Sequence, residues 1–422
     1  MTHYNCVIIG GGAVGSTLAI ALAKLNYSVL LVDKKALPPV LPQQMIFRLG
    51  DEPPSNRSVY KIHEDCEVGE VNNAENSAAK GIQHDSKTIA LSYASYAILS
   101  ALNVWHAIDS PIPIEDVLVT VKGGFGSSRL NRNKQPLGFV LGLSALEHGL
   151  AKAMQDIPLL TVLRPAALLK YERDEKWQLE IEGIGHVSCD LLVSAEGIQA
   201  SLRDAHFIQV RKKEYDHAAV VCHVNLAKSH HNLAYERFLP QGAIALLPWH
   251  DNQFTMVWSV PKEEANKIMS ATDEQFIAQA QQALGNRLGK ISHVSKRNVF
   301  PLQMQIAINQ SSSRFLLIGN SAHSLHPIAA QGLNLSLRDI WQIRSQILKS
   351  DESQLDLGNP AFLAEYIQAR VTDQNKMIAL TDFLAEWVSG KMPTFLKGVG
   401  LTLFDSINPL KRQFTYFGMG LM

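Results

Sequence analysis

A chain of 422 residues is long enough for two closely joined domains with a sizeable buried core. Its 39 Lys and Arg residues balance its 39 Asp and Glu residues, so the composition implies no bulk attraction to nucleic acid. The four scattered cysteines lack a C-x-x-C pair, which argues against a disulfide framework or a structural zinc site. We expect no signal peptide, because no basic region precedes the first apolar run, and no apolar stretch approaches a membrane span.

The N-terminal segment predicts a strand, a glycine turn, a helix and a second strand in that order. Cys6 to Ile9 is a short apolar run rich in β-branched residues, and Ser16 to Leu25 has helical spacing. Between them lies an intact G-x-G-x-x-G, from Gly10 to Gly15. Ser28 to Val32 is a second apolar run, and Asp33 follows it directly. This order predicts a dinucleotide site.

Each position of this turn has a physical role in such a site. Gly10 allows the tight turn, Gly12 lets the backbone approach a pyrophosphate, and Gly15 lets the helix pack closely on the sheet. The N–H groups at the start of the helix face the phosphates. Asp33 accepts hydrogen bonds from ribose hydroxyls. The motif does not distinguish FAD from NAD.

The next part of the chain alternates between loops and short elements. Residues 36–84 contain clustered prolines and a polar, acidic run, which predict a surface loop insertion that is partly disordered. Asp85 to Leu102 is predicted to be helical, and so is Leu143 to Met154. Short runs from Leu159 to Ile181 indicate a β-meander, and a buried strand ends at Glu196-Gly197.

Residues 215–260 are β-rich and carry turn residues at intervals, so they predict an antiparallel sheet with one face towards a substrate pocket. Within it, Tyr235 to Phe238 is compatible with strand packing or with pocket lining, and both interpretations stay open. Helical patterns cover Asn334 to Leu348, Ala361 to Leu384 and the stretch after Pro393.

A second block that bears on chemistry runs from Gly319 to Asp339, with the pattern G-N-x-A-H-x-L-H-P-I-A-x-Q-G-L-N-L-x-L-R-D. It predicts a polar turn after a buried strand, followed by the start of a helix. The N–H groups of such a helix start bind the pyrimidine edge of a flavin and stabilise negative charge on the reduced ring. This block therefore favours FAD as the cofactor.

Five motifs carry a resemblance to a known family: the G-x-G-x-x-G at Gly10 to Gly15, the D-x-[RK]-x-x-A-L at Asp85 to Leu91, Glu196-Gly197 with Ser201 and Arg203, Tyr235 to Phe238 with Ala245 to Pro248, and the Gly319 to Asp339 block. The chain resembles the FAD-dependent hydroxylases of ubiquinone biosynthesis, within the para-hydroxybenzoate-hydroxylase-like flavoprotein monooxygenases. It is most similar to the 2-polyprenyl-6-methoxyphenol hydroxylase branch. The resemblance covers almost the whole chain outside residues 36–84.

Together with the predicted elements, the resemblance implies a mixed α/β (α+β) fold with a Rossmann-like FAD-binding domain, an inserted antiparallel-sheet substrate domain and a C-terminal helical region. The predicted FAD-binding domain is discontinuous and comprises residues 1–110, 140–205 and 295–350. Residues 111–139 and 206–294 form the predicted substrate domain. Residues 351–422 form the helical region.

The resemblance also implies the residues that hold the cofactor: Gly10, Gly12, Ala13, Val14, Gly15, Asp33, Lys87, Glu196, Gly197, Gly319, Asn320, Pro327, Gly332, Leu333 and Asn334. Lys87 stands where the family usually has Arg, Glu196 where it has Asp, and Ala330 where it has Gly. We expect these changes to tune the site. No metal site is predicted, because His323 and His326 lack a third ligand in the sequence. No catalytic residue is identified, although Pro327 and His326 are candidates beside the flavin ring.

The implied activity is that of an FAD-dependent aromatic-ring monooxygenase. It would use NAD(P)H and O₂ to hydroxylate a polyprenylated phenol, 2-polyprenyl-6-methoxyphenol to the 1,4-benzoquinol, through a flavin hydroperoxide. Two alternatives stay open: a hydroxylase of the same fold that acts at another ring position or on a soluble aromatic acid, and a non-catalytic scaffold subunit of a biosynthetic complex. The sequence names no base for the phenol.

The implied location is the cytoplasm, where peripheral attachment to the inner face of the membrane or membership of a multi-enzyme ubiquinone-synthesis complex stays open. The stretch after Pro393 bears on this point, because it is apolar with basic residues at Lys397, Lys411 and Arg412. It is either a helical segment packed on the domain or an interfacial segment suited to a polyprenyl substrate.

Overall fold

The computed structural model describes residues 1–36, 87–131, 135–326, 331–350, 355–389 and 393–421. The predicted loop insertion at 36–84 lies outside the described residues except for its first position. The predicted site residue Pro327 and the substituted position Ala330 also lie outside them.

In chain order, the strands are β1 (Thr2–Ile9), β2 (Val29–Val32), β3 (Thr88–Ser92), β4 (Ile112–Ile114), β5 (Asp116–Val121), β6 (Ser127–Asn131), β7 (Gly138–Gly142), β8 (Leu160–Leu163), β9 (Leu168–Arg173), β10 (Trp177–Ile181), β11 (Gly185–Ser194), β12 (Val210–Leu226), β13 (Leu233–Phe238), β14 (Ala243–Pro248), β15 (Gln253–Pro261), β16 (Ile291–Val294), β17 (Asn298–Ala307), β18 (Ser311–Ser312), β19 (Phe315–Leu317) and β20 (His323–Ser324).

The helices, in the same order, are α1 (Ala13–Ala23), α2 (Tyr93–Ala101), α3 (Leu143–Met154), α4 (Ser201–Ala205), α5 (Lys262–Ser270), α6 (Asp273–Leu284), α7 (Gln331–Lys349), α8 (Pro360–Ser389), α9 (Thr394–Ser406) and α10 (Asn408–Gly418). The mixed α/β architecture and the C-terminal helical region are thus confirmed.

The first sheet contains a parallel core, hereafter the parallel sheet, in the order β19-β11-β1-β2-β8. Its central strands are buried on both faces, which explains why they read as continuous apolar runs. Helix α1 packs on one face together with α3 and α7. The predicted meander from Leu159 to Ile181 is wrong in its first strand, because β8 pairs in parallel with β2 while β9 and β10 continue from β11.

The second sheet, hereafter the large sheet, has the order β20-β17-β12-β15-β14-β13-β5-β6, with β16 also paired to β12. Helices α5 and α6 cover one face, where Phe276 and Ala280 pack with Tyr235 and Met256. Strand β17 pairs with β12 in this sheet, whereas the predicted boundary at residue 295 assigned it to the FAD-binding domain. The division into domains otherwise stays a prediction.

A small sheet of β3, β7 and β4 packs against both larger sheets. Leu91 and Leu141 lie in the hydrophobic core of the parallel sheet, while Ile114 and Val140 pack with Ala234 of the large sheet. The predicted helix from Asp85 to Leu102 is wrong from Thr88 to Ser92, and its first two residues lie outside the described part of the chain. Thr88–Ser92 is a strand because its backbone pairs with β7, and the helix begins only at Tyr93. The Ser92 hydroxyl caps that helix by accepting a hydrogen bond from the Ser95 N–H at 3.3 Å.

The C-terminal helices pack on the rest of the chain. Leu401 of α9 lies in a hydrophobic cluster with Val121 and Phe238 of the large sheet. The side chain of Lys397 is fully buried, and its Nζ donates to the Leu239 carbonyl at 3.2 Å. No helix in the described part of the chain is both long and apolar enough to cross a membrane.

Candidate cofactor and substrate site

The carboxyl ends of the parallel strands bring five turns to one edge of the sheet. Gly10 follows β1, Asp33 follows β2, and Arg164 follows β8, while Glu196 and Gly319 lie in the turns after β11 and β19. In open α/β sheets, ligands bind in the crevice outside the carboxyl ends of the strands. The edge thus collects most of the predicted cofactor residues from distant parts of the sequence.

The glycine turn has the geometry that a diphosphate needs. Gly10 has φ +108°, and a Cβ added at Gly15 would overlap the Gly10 carbonyl oxygen, so both positions require glycine for close packing. Gly12 differs, because a Cβ there would meet nothing within 4 Å. Gly12 is also the N-cap of α1, and no side chain caps that helix. The open space beside an uncapped helix start fits a pyrophosphate.

Asp33 is held in place by backbone groups at this edge. Its two carboxylate oxygens accept from the Gly11 N–H at 2.5 Å and the Lys35 N–H at 2.7 Å. Arg164, which the sequence analysis missed, donates to the Gly11 carbonyl at 2.8 Å and lies 3.9 Å from Asp33. Only the parallel pairing of β8 with β2 would have pointed to Arg164, because that pairing places the strand end beside Asp33.

The turns after β11 and β19 are fastened to each other and to α1. A Cβ added at Gly319 would lie 3.1 Å from Val14, so the second motif packs directly on the first residues of α1. The buried Ser321 hydroxyl accepts from the Gly197 N–H at 3.1 Å and lies 3.2 Å from the Gly197 carbonyl. Asn320 is exposed at the surface of this turn. The structure therefore brings Val14, Gly197, Gly319 and Asn320 together.

Glu196 makes local contacts. Its carboxylate accepts from the hydroxyls of Ser194 and Ser201 at 2.9 and 2.6 Å and from the Leu202 N–H at 3.1 Å. These bonds fix the turn between β11 and α4. Because both oxygens are already engaged, Glu196 shapes this turn, while Gly197 beside it has φ +88° and open space around it.

The start of α7 is tied to the small sheet through Asn334. Its Oδ1 accepts from the Ser92 N–H at 2.8 Å and the Ser95 hydroxyl at 2.7 Å, and its Nδ2 donates to the Ala90 carbonyl at 3.1 Å. Gly332 has open space around a hypothetical Cβ, and Leu333 packs against the hydrophobic core. The Asn334 side chain thus positions the helix start whose N–H groups were predicted to face the flavin.

Lys87 and His326 are two further predicted site residues. Lys87 is exposed, and its carbonyl accepts from the Leu143 N–H at 2.8 Å. His326 is buried beside Tyr215, with ring centroids 4.7 Å apart. Burial and the nearby His217 lower the pKa of His326 to about 4, so its ring is neutral at neutral pH.

His323 belongs to a separate buried network. Its Nε2 lies 2.7 Å from Asp339, whose other oxygen accepts from Arg370 at 2.6 Å. Within the part of the chain that the structure describes, no three His, Cys, Asp or Glu side chains form a group that could hold a metal ion.

The face of the large sheet opposite α5 and α6 carries a line of residues in register, hereafter the central row. The row runs across five strands: Val119, Glu236, Ala245, Val257 and Val221. All five are partly exposed, although they lie in the middle of the sheet. A partly accessible row at the centre of a sheet indicates a hollow above it.

Hydrophobic clusters border this hollow. On one side Val221 and Val257 pack with Leu325 and Leu335, which flank the predicted flavin-edge segment. Elsewhere, Ala234 packs with residues of the small sheet, and Val119 packs with Leu401 of α9 and with Trp387 of α8. The central row therefore lies between the cofactor edge and the C-terminal helices. The prediction that one sheet face walls a pocket agrees with this arrangement.

Comparison with known proteins bears on the cofactor. Residues 139–370 match the family model described as FAD binding domain. The chain belongs to this FAD-binding family. Residues 8–38, which contain the glycine turn and Asp33, match a model of the NAD(P)-binding Rossmann-like domain. FAD is the cofactor, and NAD(P)H is the usual co-substrate of such a flavoprotein.

Similar proteins cover nearly the whole of this FAD-binding chain. The ubiquinone hydroxylase UbiL of Rhodospirillum rubrum is 28% identical over 99% of this chain and 90% of its own length. The 3-demethoxyubiquinol 3-hydroxylase of Escherichia coli is 24% identical over 98% of each chain. The crystal structure of PqsL of Pseudomonas aeruginosa with 2-aminobenzoylacetate superposes with a TM-score of 0.72 at 17% identity, over 95% of this chain and 99% of PqsL. At that identity the likeness shows the fold.

Proposed function

We propose that this protein is an FAD-dependent aromatic-ring monooxygenase that uses NAD(P)H and O₂ to hydroxylate a polyprenylated phenol in ubiquinone biosynthesis. The observation that carries the proposal is the partly exposed and mostly apolar central row, whose Val221 and Val257 pack with Leu325 and Leu335 beside the segment predicted to bind the flavin ring. The names of the relatives from Rhodospirillum rubrum and Escherichia coli support the substrate class. An apolar hollow suits a prenylated ring better than a soluble aromatic acid.

The residues divide the work of binding FAD. The start of α1 and the open space at Gly12 would hold the pyrophosphate, and Asp33 would hold the ribose with Arg164 behind it. Asn334 would fix the helix start that faces the flavin ring. When bound, FAD supplies the redox and oxygen-transfer chemistry. The apolar clusters around the hollow exclude water from the ring, while the sheet orients the phenol.

The ring position is a finer part of the proposal. The resemblance predicts hydroxylation of 2-polyprenyl-6-methoxyphenol to the 1,4-benzoquinol. The relative from Escherichia coli is named 3-demethoxyubiquinol 3-hydroxylase, which is a different substrate from the one that the resemblance predicts. Product analysis is therefore part of the test.

The activity is testable with purified protein and a detergent-solubilised prenylated phenol. We expect FAD to be released by heat, NAD(P)H oxidation to rise when the phenol is added, and the product to gain one oxygen atom from ¹⁸O₂. The position of the new hydroxyl follows from fragmentation of the product. A protein that turns over 4-hydroxybenzoate but not the prenylated phenol would contradict the substrate class. A protein that binds no FAD would contradict the enzyme assignment in favour of a scaffold.

We also propose peripheral attachment to the membrane through α9 and α10. Large apolar side chains are exposed along these helices: Phe395, Leu396, Leu403, Ile407 and Leu410. Apolar side chains on surface helices can insert at the boundary between lipid headgroups and acyl chains.

The expected result is that Leu396→Ser with Leu403→Ser lowers co-sedimentation with lipid vesicles of phosphatidylethanolamine and phosphatidylglycerol, without changing FAD content. Phe207→Ser is the matched control, because Phe207 is 91% exposed but lies after α4, outside this surface. Equal sedimentation of the double variant and the wild type would refute the attachment. Deletion of the tail is a poor test, because Lys397 and Leu401 are buried in the fold.

A further inference from the structure

Glu236 is the single acidic residue of the central row, and its surroundings are apolar. Its direct cross-strand neighbours are Val119 on β5 and Ala245 on β14. Along the row Val257 and Val221 follow. No residue in the described ranges gives the Glu236 carboxylate a hydrogen bond or an ion pair. A carboxylate without a partner in an apolar hollow is costly for folding, so its presence calls for a function.

The alternation of β13 separates Glu236 from the residues on either side of it. The Tyr235 hydroxyl lies 2.9 Å from the Thr120 hydroxyl, and Arg237 donates to the Leu284 carbonyl at 2.9 Å. Both therefore point towards α6, on the covered face of the large sheet. Glu236 points to the opposite face, which carries the hollow.

The electrostatic surroundings agree with this geometry. Burial raises the pKa of Glu236 to about 7. The titratable side chains that share its face of the sheet include Lys213, Tyr215, His217 and His223 on β12, three strands away, or about 14 Å at the usual strand spacing. From α9, Lys397 donates to the Leu239 carbonyl and Asp405 accepts from the Ser128 hydroxyl on β6. From α8, Asp382 and Glu386 accept from Lys213 on β12. None of them neutralises Glu236.

We propose that Glu236 is the base that accepts the proton of the substrate hydroxyl in the hollow. This inference rests on the proposed hydroxylase function. In this step the phenolic O–H bond breaks, a new O–H bond forms on the Glu236 carboxylate, and the electron pair stays on the phenolate oxygen. No electrons leave the ring and no further reactant is needed. The phenolate is richer in electrons at its ortho and para carbons than the phenol, so these carbons are better nucleophiles towards an electrophilic oxygen.

The acidity of Glu236 suits this proton transfer. A phenol such as the tyrosine side chain has a pKa of about 10, and an ordinary Glu has a pKa of about 4.3. A base whose pKa lies near the working pH combines a useful fraction of the ionised form with proton affinity. The apolar hollow thus makes Glu236 a stronger base than a solvated carboxylate.

The decisive variant is Glu236→Gln, which preserves size and removes the proton acceptor. We expect unchanged FAD content and a substrate KM within a few-fold of the wild type. We expect kcat for hydroxylation to fall by about a hundredfold or more, the usual range for loss of a general base. The wild-type kcat should rise with pH through about 7, the pKa of Glu236, and this inflection should be absent in the variant.

Two further measurements distinguish loss of the base from misfolding or a partly inactive preparation. Because the phenol pKa of about 10 lies well above that of Glu236, the proton is transferred during the reaction and not in the resting complex. The kcat of Glu236→Gln should therefore recover towards pH 10, where solvent ionises the phenol without a base, whereas the wild-type kcat should level off above about pH 8. Glu236→Asp should retain the pH inflection with a lower kcat. Glu214→Gln is the matched control, because Glu214 lies in the same sheet with an exposed side chain.

The outcomes separate this inference from the proposed function. If the wild type does not hydroxylate the prenylated phenol, the proposed function fails. If the wild type does and Glu236→Gln matches its kcat and pH profile, Glu236 is not the base while the function stands. A raised KM with unchanged kcat would also overturn the inference, because it would indicate a role in binding alone.

Discussion

Replacing Gly12 by alanine is expected to leave the fold intact and to lower FAD affinity about ten- to a hundredfold. The added Cβ meets no protein atom within 4 Å, and Gly12 has φ −68°, which alanine adopts freely. In the holoprotein the same Cβ would occupy the space through which the start of α1 approaches the pyrophosphate. Hydrogen bonds to charged groups contribute about 1.5–3 kcal/mol each, and tenfold in affinity corresponds to about 1.4 kcal/mol.

The measurement is a calorimetric titration of the apoprotein with FAD, accompanied by thermal unfolding of the apoprotein. Gly15→Ala is the contrasting variant, because its Cβ would overlap the Gly10 carbonyl oxygen. That overlap should lower the free energy of unfolding of the apoprotein itself by about 1–3 kcal/mol, as overpacking does. If Gly12→Ala binds FAD like the wild type, the pyrophosphate does not lie at this turn.

Replacing Arg370 by methionine is expected to lower the free energy of unfolding by about 3–5 kcal/mol, the usual loss when a buried ion pair loses one partner. Arg370 donates to Asp339 at 2.6 Å and also bonds Asp373. Asp339 is only 1% exposed, so methionine would leave its carboxylate with His323 and the Gln374 amide as the remaining partners. Urea denaturation of wild type and variant measures the difference.

A matched control and a double variant sharpen this test. Arg129 pairs with Asp116 at 2.8 Å on the surface, so Arg129→Met should cost less than about 1 kcal/mol. Asp339→Asn combined with Arg370→Met should lose less than Arg370→Met alone, because no buried charge then lacks its partner. A loss in Arg370→Met no greater than in Arg129→Met would contradict a structural role for the buried pair.

The same network predicts a dependence of stability on pH. Burial alone would raise the pKa of Asp339, but His323 and Arg370 outweigh it and hold the pKa below its ordinary value. A depressed pKa stabilises the fold above the unfolded value of about 3.9, and that contribution is lost as pH falls towards the folded value. When the pH is lowered from about 5 to about 3, a range that brackets this unfolded pKa, the free energy of unfolding should therefore fall less in Arg370→Met than in the wild type.

The cofactor turn was predictable because its signals are local. The order of strand, glycine turn, helix and strand lies within consecutive residues up to Asp33, and each part has its own propensity. Arg164 was not predictable in the same way, because its position depends on which strand β8 pairs with. The sequence of the short run Leu160–Leu163 does not indicate that this partner is β2. The strand Thr88–Ser92 was missed for the same reason, since only pairing with β7 overrides its helical pattern.

The segment Tyr235 to Phe238 was recognised in the sequence, but its role was left undecided. Packing and pocket lining were both compatible with the sequence. In the structure, successive residues of the strand alternate between the two roles. Tyr235 lies in the cluster with α6, while Glu236 faces the hollow. Which face of a strand is covered depends on helices that follow later in the chain, so the sequence of the strand alone does not decide it.

The hydrogen bonds that fasten the cofactor edge also bear on the order of events during biosynthesis. Gly197 is joined to Ser321, and Asn334 is joined to Ser92 and Ala90, so the edge connects segments that leave the ribosome far apart in time. Contacts between residues far apart in sequence form late in folding, because the chain loses entropy when the loop closes before the new contacts can compensate for it. A nascent chain that ends before α7 would contain the glycine turn but not the helix start that is predicted to face the flavin ring. FAD should thus enter only after α7 has been translated, and its uptake should complete the maturation of the site.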